Sequence, residues 1–435
     1  MPWFGSMLLI FMTLVILVVI GMPVGFAVGL VGVIGVFFVS GFSTLLGDIP
    51  LLYVSNLTIY SLIAIPLFVL LVEFAAEGGI SQKLCDVSIK IMGRLPGGLA
   101  VACTVAGAVF GAISGASSVA SIVVADMFLP EAMNRNYDKS FIIGTIAAAG
   151  TLSLIIPPSF VLIVFGIVAG VSIGDLFMAT VIPGIICTTL FVIFIAFRAA
   201  RNPYLAPVPP PVPWKEKIRA VGRGWEIALL IFIILGGVYW GVTTVTEVAA
   251  VGCLGALIIT VAYRRLTLSK ASAALKKSSE ICGFFFMLFI GAFFFQHLLI
   301  YLQIPQHITT WVAELNLSSL ETVLAMQILC FALGTFMDTS ALLLIMVPLF
   351  LPSLKAQGVD LVWLGVSLNM VAMMASICPP MGINNLVLQN QGKPYGITLG
   401  QILRGSWPFM FLILITLVLT MAWHPLATWL PGIIK

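Results

Sequence analysis

Two pairs of adjacent prolines, Pro157-Pro158 and Pro379-Pro380, interrupt long apolar segments at positions 222 residues apart. The first pair lies inside a run from Phe141 to Ala169, which exceeds the ~20 residues a helix needs to cross hydrocarbon. Each proline removes an N–H donor and clashes with the preceding turn, so a helix must break there. At mid-depth no water is available to satisfy the freed carbonyls. Non-helical backbone survives at that depth only where it is buried in protein or lines a polar cavity. The break therefore predicts a membrane protein with a polar site at its centre.

Composition agrees: 61% of the 435 residues are hydrophobic and 8% charged, against about 25% charged in soluble chains. Mean hydropathy is +1.19. The seven cysteines are scattered through apolar runs with no CxxC pair; they read as small buried hydrophobes, with no disulfide, cofactor or transition-metal site indicated. The amino terminus lacks a basic n-region and runs straight into a span, so no cleavable signal is expected. Loops near 77–97, 130–140, 198–225, 264–280 and 392–407 hold 18 of the 20 basic residues. That bias places them in the cytoplasm, and with ten crossings both termini lie outside.

A proline-rich basic stretch, "RNPYLAPVPPPVPWKEKIRAVGR", begins at residue 201 and divides the chain nearly in half; it reads as an extended cytoplasmic linker over 201–225. An offset of 222 aligns the two double prolines, Ser118 with Ser340, Phe128 with Phe350 and Asp138 with Asp360. The expected architecture is an all-α polytopic membrane protein built as two repeats, 1–200 and 226–435. Five crossings per repeat, an odd number, force an inverted topology. Each repeat contains an interfacial arm (81–95 and 305–316), a re-entrant helical hairpin (97–130 and 324–352) and a broken span (141–169 and 361–391). The hairpin tips fall at Ser114–Ser118 and Gly334–Ser340.

Two breaks and two tips related in pairs are the construction of secondary transporters, whose sites lie at the bilayer midplane. Carbonyls freed at the ends of leading half-helices suit Na⁺, a hard cation that takes oxygen ligands. The N-termini of trailing half-helices present N–H groups to an anion. One ion site is expected around Ser114, Gly115, Ser117 and Ser118 with Gly150 and Thr151. Its repeat partner combines Gly334, Asp338, Thr339 and Ser340 with Ser376 and Cys378. Substrate contacts are expected from Ser114, Ala116, Pro157, Pro158, Ser159, Pro379, Pro380, Asn384 and Asn385. The serines have a second reading as small packing residues, Asp338 as a helix N-cap, and the two asparagines as partners of broken backbone. Glu73, Glu226, Glu247 and His297 sit near span ends and read as interfacial or packing residues. No Lys or Arg falls inside the membrane, so an anion must rely on helix N-termini, hydroxyls, amides and bound Na⁺. An intramembrane serine enzyme is disfavoured: "GAISGAS" has Ala112 two residues before Ser114, and no histidine is placed as its partner.

The segments "AISGASSVASIVVADMFLPEAMNRNYDKSF", "LSLIIPPS", "LGTFMDTSALLLIMVPLFLP" and "SICPPMGINNLV" resemble the large membrane subunit of tripartite ATP-independent periplasmic (TRAP) transporters, of the ion transporter superfamily. The shorter "RLPGGLA", "TEVAA" and "IPLF" agree, and the resemblance covers essentially the whole chain. It implies an elevator-type, Na⁺-driven symporter in the bacterial inner membrane for organic anions such as C4-dicarboxylates or sialic acid. It also implies two partners: a periplasmic substrate-binding protein and a small four-span membrane subunit, here a separate chain. Against the family pattern, Ala116 stands where Ser is commoner, Asp338 where Glu is, and Cys378 where Thr is. The competing expectation is a self-sufficient Na⁺- or H⁺-coupled carrier of the same superfamily. No nucleic-acid partner is expected.

Overall fold

A computed structural model describes residues 3–207, 213–379 and 382–434; Pro380 and the centre of the proline-rich linker lie outside the described residues. The first half contains α1 (Trp3–Val19), α2 (Val24–Leu57), α3 (Ala64–Glu77), α4 (Ile80–Met92), α5 (Gly98–Ser114), α6 (Ser117–Asn134), α7 (Lys139–Ile155), α8 (Phe160–Ala169) and α9 (Ile173–Arg201). After a short linker helix, α10 (Trp214–Arg223), come α11 (Trp225–Tyr239), α12 (Val245–Ala262), α13 (Leu268–Tyr301) and α14 (Ile304–Glu314). The chain ends with α15 (Ser319–Gly334), α16 (Thr339–Ala356), α17 (Leu361–Ile377), α18 (Ile383–Gly392), α19 (Leu399–Ala422) and α20 (Pro425–Ile434).

The 222-residue offset carries α6 onto α16 and α7 onto α17 at both ends. It also brings α4 within two residues of α14, and α8 within one residue of α18 at both ends. Packing follows the same rule. Helix α2 runs along α13 and α3 along α12; α6 packs on α18 and α16 on α8; α7 packs on α19 and α17 on α9. Each of these pairs becomes the other when the halves are exchanged.

Apolar faces give helices no reason to associate inside lipid, so close approach of small residues carries the packing. A Cβ on Gly144 would lie 2.1 Å from the Gly405 carbonyl carbon, so α7 and α19 touch backbone to backbone. Gly107 and Gly111 let α5 reach Ala149 and Ser153 of α7 in the same way.

Several boundaries differ from expectation. Both hairpins are longer than predicted, because α6 runs through Pro130 to Asn134 and α16 through Pro352 to Ala356. A single missing N–H is tolerated inside a membrane helix when neighbours re-satisfy the carbonyl. The segment read as a loop at 264–280 is helical from Leu268, and Lys270 and Lys277 on it pair with Glu77 and Glu73 of α3. The linker is not wholly extended, since α10 occupies its second part. Among the described residues, eight helical segments are long and apolar enough to cross a membrane, or nine if the bent pair α10–α11 counts as one. One of these is the hairpin limb α16, whereas α1, read as the first crossing, has 17 residues, and the predicted broken span 361–391 is divided between α17, of 17 residues, and α18, of 10.

The arm α4 is fastened to the other half by a buried charge cluster. The Glu226 carboxylate, fully buried at the start of α11, accepts from Lys83 Nζ and from the Tyr263 hydroxyl. Lys83 Nζ also lies 3.7 Å from the centre of the Tyr263 ring. Burial works against the Lys83 charge, but the two partners outweigh it and hold its pKa above the ordinary value.

Candidate functional site

The two hairpin tips meet at one cavity. Gly115 to Val119 of the first tip and Asp338, Thr339 and Ser340 of the second form its walls, with Leu154, Phe160 and Val161 from the first broken span. Its volume is about 310 Å³, at the lower end of small-ligand pockets.

Each tip is built by local chemistry. Gly115 ends α5 at φ +64, a left-handed conformation that glycine adopts without strain. Ala116 is extended and Ser117 opens α6, so the turn takes only two residues. In the second tip Asp338 caps α16, its carboxylate accepting from the Ser340 N–H at 2.8 Å. The capping role weighed for Asp338 is therefore present, and the residue lines the cavity as well. Thus α6 and α16 both begin at the cavity wall, with the positive ends of their dipoles there.

The breaks lie against the tips. After α7 the chain turns through Pro157 and Pro158, and the Phe160 N–H donates to the Gly115 carbonyl at 3.1 Å. At the corresponding position of the second half, the Gly382 N–H donates to the Thr335 carbonyl at 3.3 Å. Asn369 of α17 crosses between halves, its Nδ2 donating to the Leu154 carbonyl at 2.6 Å. This residue has no counterpart in the predicted site; an amide inside a span was the available signal.

The remaining predicted residues sit at or behind these elements. Thr151 and Ser376 turn their hydroxyls onto carbonyls of their own helices. Gly150 admits Ser121, whose Oγ would be 1.9 Å from a Cβ there. Gly334 closes α15. Pro157 lines a separate apolar cavity between α5, α9 and α11, rather than the one between the tips. Pro379 follows Cys378, which ends α17 in extended conformation. Asn384 and Asn385 occupy the first turn of α18, fully buried; Asn385 Nδ2 donates to the Ile377 carbonyl at 2.9 Å, which is the backbone-satisfying role considered for it.

Several buried polar atoms along the breaks have no partner among the described residues: Ser114 Oγ, Ser159 Oγ, Asn369 Oδ1, both amide atoms of Asn384 and Asn385 Oδ1. Each such atom costs about 1–3 kcal/mol if nothing binds it. The carbonyl oxygens of Ser376 and Cys378 also converge, lying 2.8 and 2.9 Å from the point a Cβ on Gly382 would occupy. Asn385 Nδ2 lies 2.8 Å from the same point; setting aside the amide nitrogens of Asn384 and Asn385, which donate, the oxygens are hard ligands suited to an alkali cation rather than a transition metal.

Eight wall residues were missed, four of them on α13. Of these, Glu280, Phe284 and Phe285 line the cavity alongside both tips. Their i, i+4 and i+5 spacing was visible, but only packing shows which helix faces the tips.

The sequence matches the family described as "Tripartite ATP-independent periplasmic transporter, DctM component" over residues 11–426. It is 32% identical over 363 residues to the C4-dicarboxylate TRAP transporter large permease protein of Pseudomonas aeruginosa, covering 83% of each chain. It is 28% identical over 412 residues to the sialic acid TRAP transporter large permease protein of Vibrio cholerae, covering 94% of this chain and 95% of that one. Identity to the ectoine TRAP transporter large permease protein of Halomonas elongata is 27% over 422 residues, covering 96% and 97%. The solved structure of the Alcanivorax borkumensis YdaH transporter shares the fold, with a TM-score of 0.65 at 16% identity over 89% of this chain and 90% of that one. With its helical fold, its paired hairpins and this match over nearly its whole length, the chain belongs to the large permease family of TRAP transporters, multi-pass membrane subunits that work with other components and are not enzymes.

Proposed function

We propose that the chain is the transmembrane carrier of a Na⁺-coupled symporter that imports a small organic anion such as a carboxylate. The observation that carries this reading is a cavity shared by the two hairpin tips, with no Lys, Arg or His among the described residues of its wall. A carboxylate there draws on the N-terminal dipoles of α6 and α16 and on the hydroxyls of Ser117, Ser118 and Thr339. Bound Na⁺ supplies the remaining positive charge. The first ion seat is the backbone of Ser114–Ser118 beside Gly150 and Thr151. The second is the converging Ser376 and Cys378 carbonyls beside Gly334–Ser340. Cys378 contributes its main-chain oxygen there, so the absence of a threonine hydroxyl leaves that ligand in place.

The exchange symmetry of the packing supports two inverted repeats, 1–200 and 226–435, joined by the 201–225 linker. In this reading α2, α3, α12 and α13 form a fixed frame, and the hairpins with the broken spans form a body that carries the site across as an elevator. The arms α4 and α14 connect the two. Both termini face the periplasm of a bacterial inner membrane. A periplasmic binding protein delivers substrate, and a separate four-span subunit completes the frame.

Reconstitution in proteoliposomes tests this. The chain and its small subunit are challenged with labelled succinate, sialic acid or ectoine, classes named for the relatives. Uptake should require both a Na⁺ gradient and the binding protein. Uptake driven by H⁺ alone, or without the binding protein, would instead establish a self-sufficient carrier.

A further inference from the structure

Two acidic residues line the cavity: Asp338 of the second tip and Glu280 of α13. Asp338 has a structural duty as the cap of α16. Glu280 has none: it lies mid-helix, is exposed, and makes no ion pair or hydrogen bond among the described residues. Lys277, three residues earlier, is committed to Glu73 at 2.9 Å. Beside Glu280 are aromatic rings. Phe285 is buried and meets Phe160 edge-on, with centroids 5.4 Å apart, and Phe284 lies one residue before it.

This wall is unfavourable for a dianion. With one carboxyl group on the helix N-termini, its other would meet Glu280, a like charge, which disfavours binding. A carboxylate beside aromatic rings has the chemistry of a cation seat, because the partial negative charge of the ring faces adds to that of the carboxylate. We propose that the carboxylate compound of the reading above is zwitterionic, anionic only at the end bound by the tips: its carboxylate is joined to a positively charged nitrogen, ammonium or quaternary. Glu280, with Phe284 and Phe285 of the frame helix α13, is the residue set that selects the positive end while the tips stand beside α13, before the body moves. The inference rests on the reading above for the carboxylate end, whose seat is the paired N-termini and bound Na⁺.

The test uses the chain with its small subunit in nanodiscs and follows thermal unfolding with glycine betaine, 4-aminobutyrate or succinate. A first comparison, NaCl against choline chloride without organic ligand, reads Na⁺ binding alone. Loss of that response would refute the Na⁺ reading, independently of the outcome with ligands. In NaCl, at least one of the two zwitterions should stabilise the complex at lower concentration than succinate. Glu280→Gln should weaken 4-aminobutyrate binding by roughly ten- to hundredfold, the range for hydrogen bonds to charged groups, and should relatively favour succinate over both zwitterions. Glu280 is exposed, so the isosteric amide should fold; an unchanged response to Na⁺ alone checks this. A preference for succinate, indifference to all three compounds, or an unchanged order in Glu280→Gln would overturn the proposal while leaving the symporter reading intact.

Discussion

Gly382→Ala is the sharpest test of the second ion seat. Gly382 sits at φ +42, where an L side chain is strained, at a cost of about 1–3 kcal/mol. The added methyl would lie 2.8 Å from the Ser376 carbonyl oxygen, 2.8 Å from Asn385 Nδ2 and 2.9 Å from the Cys378 carbonyl oxygen. Two of those contacts are backbone, so they yield only by moving the break itself; overpacking of this kind adds about 1–3 kcal/mol. The methyl would also occupy the space on which the two carbonyls converge. Gly170→Ala separates these effects: Gly170 has φ +69 with nothing within 4 Å of its Cβ, so it carries backbone strain of about 1–2 kcal/mol without a clash. Thermal unfolding of both variants in NaCl and in choline chloride is the assay. Gly382→Ala should lose more stability than Gly170→Ala and should lose much of the stabilisation by Na⁺, whereas Gly170→Ala should keep that stabilisation. Equal losses, with the Na⁺ response intact in both, would refute the carbonyl cradle.

Lys83→Met should destabilise the chain by about 3 kcal/mol, the low end for breaking a buried pair, because Glu226 is left buried with its charge uncompensated while Lys83 itself is a quarter exposed. Adding Glu226→Gln should recover much of the loss in denaturation assays, and failure to recover would mean that Lys83 acts through packing alone. For topology, single cysteines at Lys215 and Ser269, in a background lacking the native seven, should react only with reagents that reach the cytoplasm. One at Gln306 should react from outside, and outside labelling at 215 would break the inverted-repeat scheme.

Much of this architecture is local chemistry and was legible in residue order. A proline pair has no N–H to give, so the helix break at Pro157-Pro158 followed from two residues. Short polar tips such as Ser114–Ser118, between apolar limbs, announced hairpins. The 222-residue offset survived folding because the same local rules act twice, as the matched ends of α6 with α16 and α7 with α17 show. What local rules leave open is which surfaces meet. Pro130 and Pro352 looked like hairpin ends, yet the helices continue, because tolerance of a missing N–H depends on neighbours rather than on the residue itself. Asn369 reads as an unexplained amide until α17 packs close enough for it to reach the Leu154 carbonyl in the other half. Glu280, Phe284 and Phe285 read as the edge of a cytoplasmic loop and the start of a span. Only the packing of α13 beside α16 turns them into a wall of the cavity. Lipid surrounds every helix with the same apolar solvent, so hydrophobicity marks the spans without choosing partners. That choice falls to close glycine contacts and cross-half hydrogen bonds, which exist only in the folded chain.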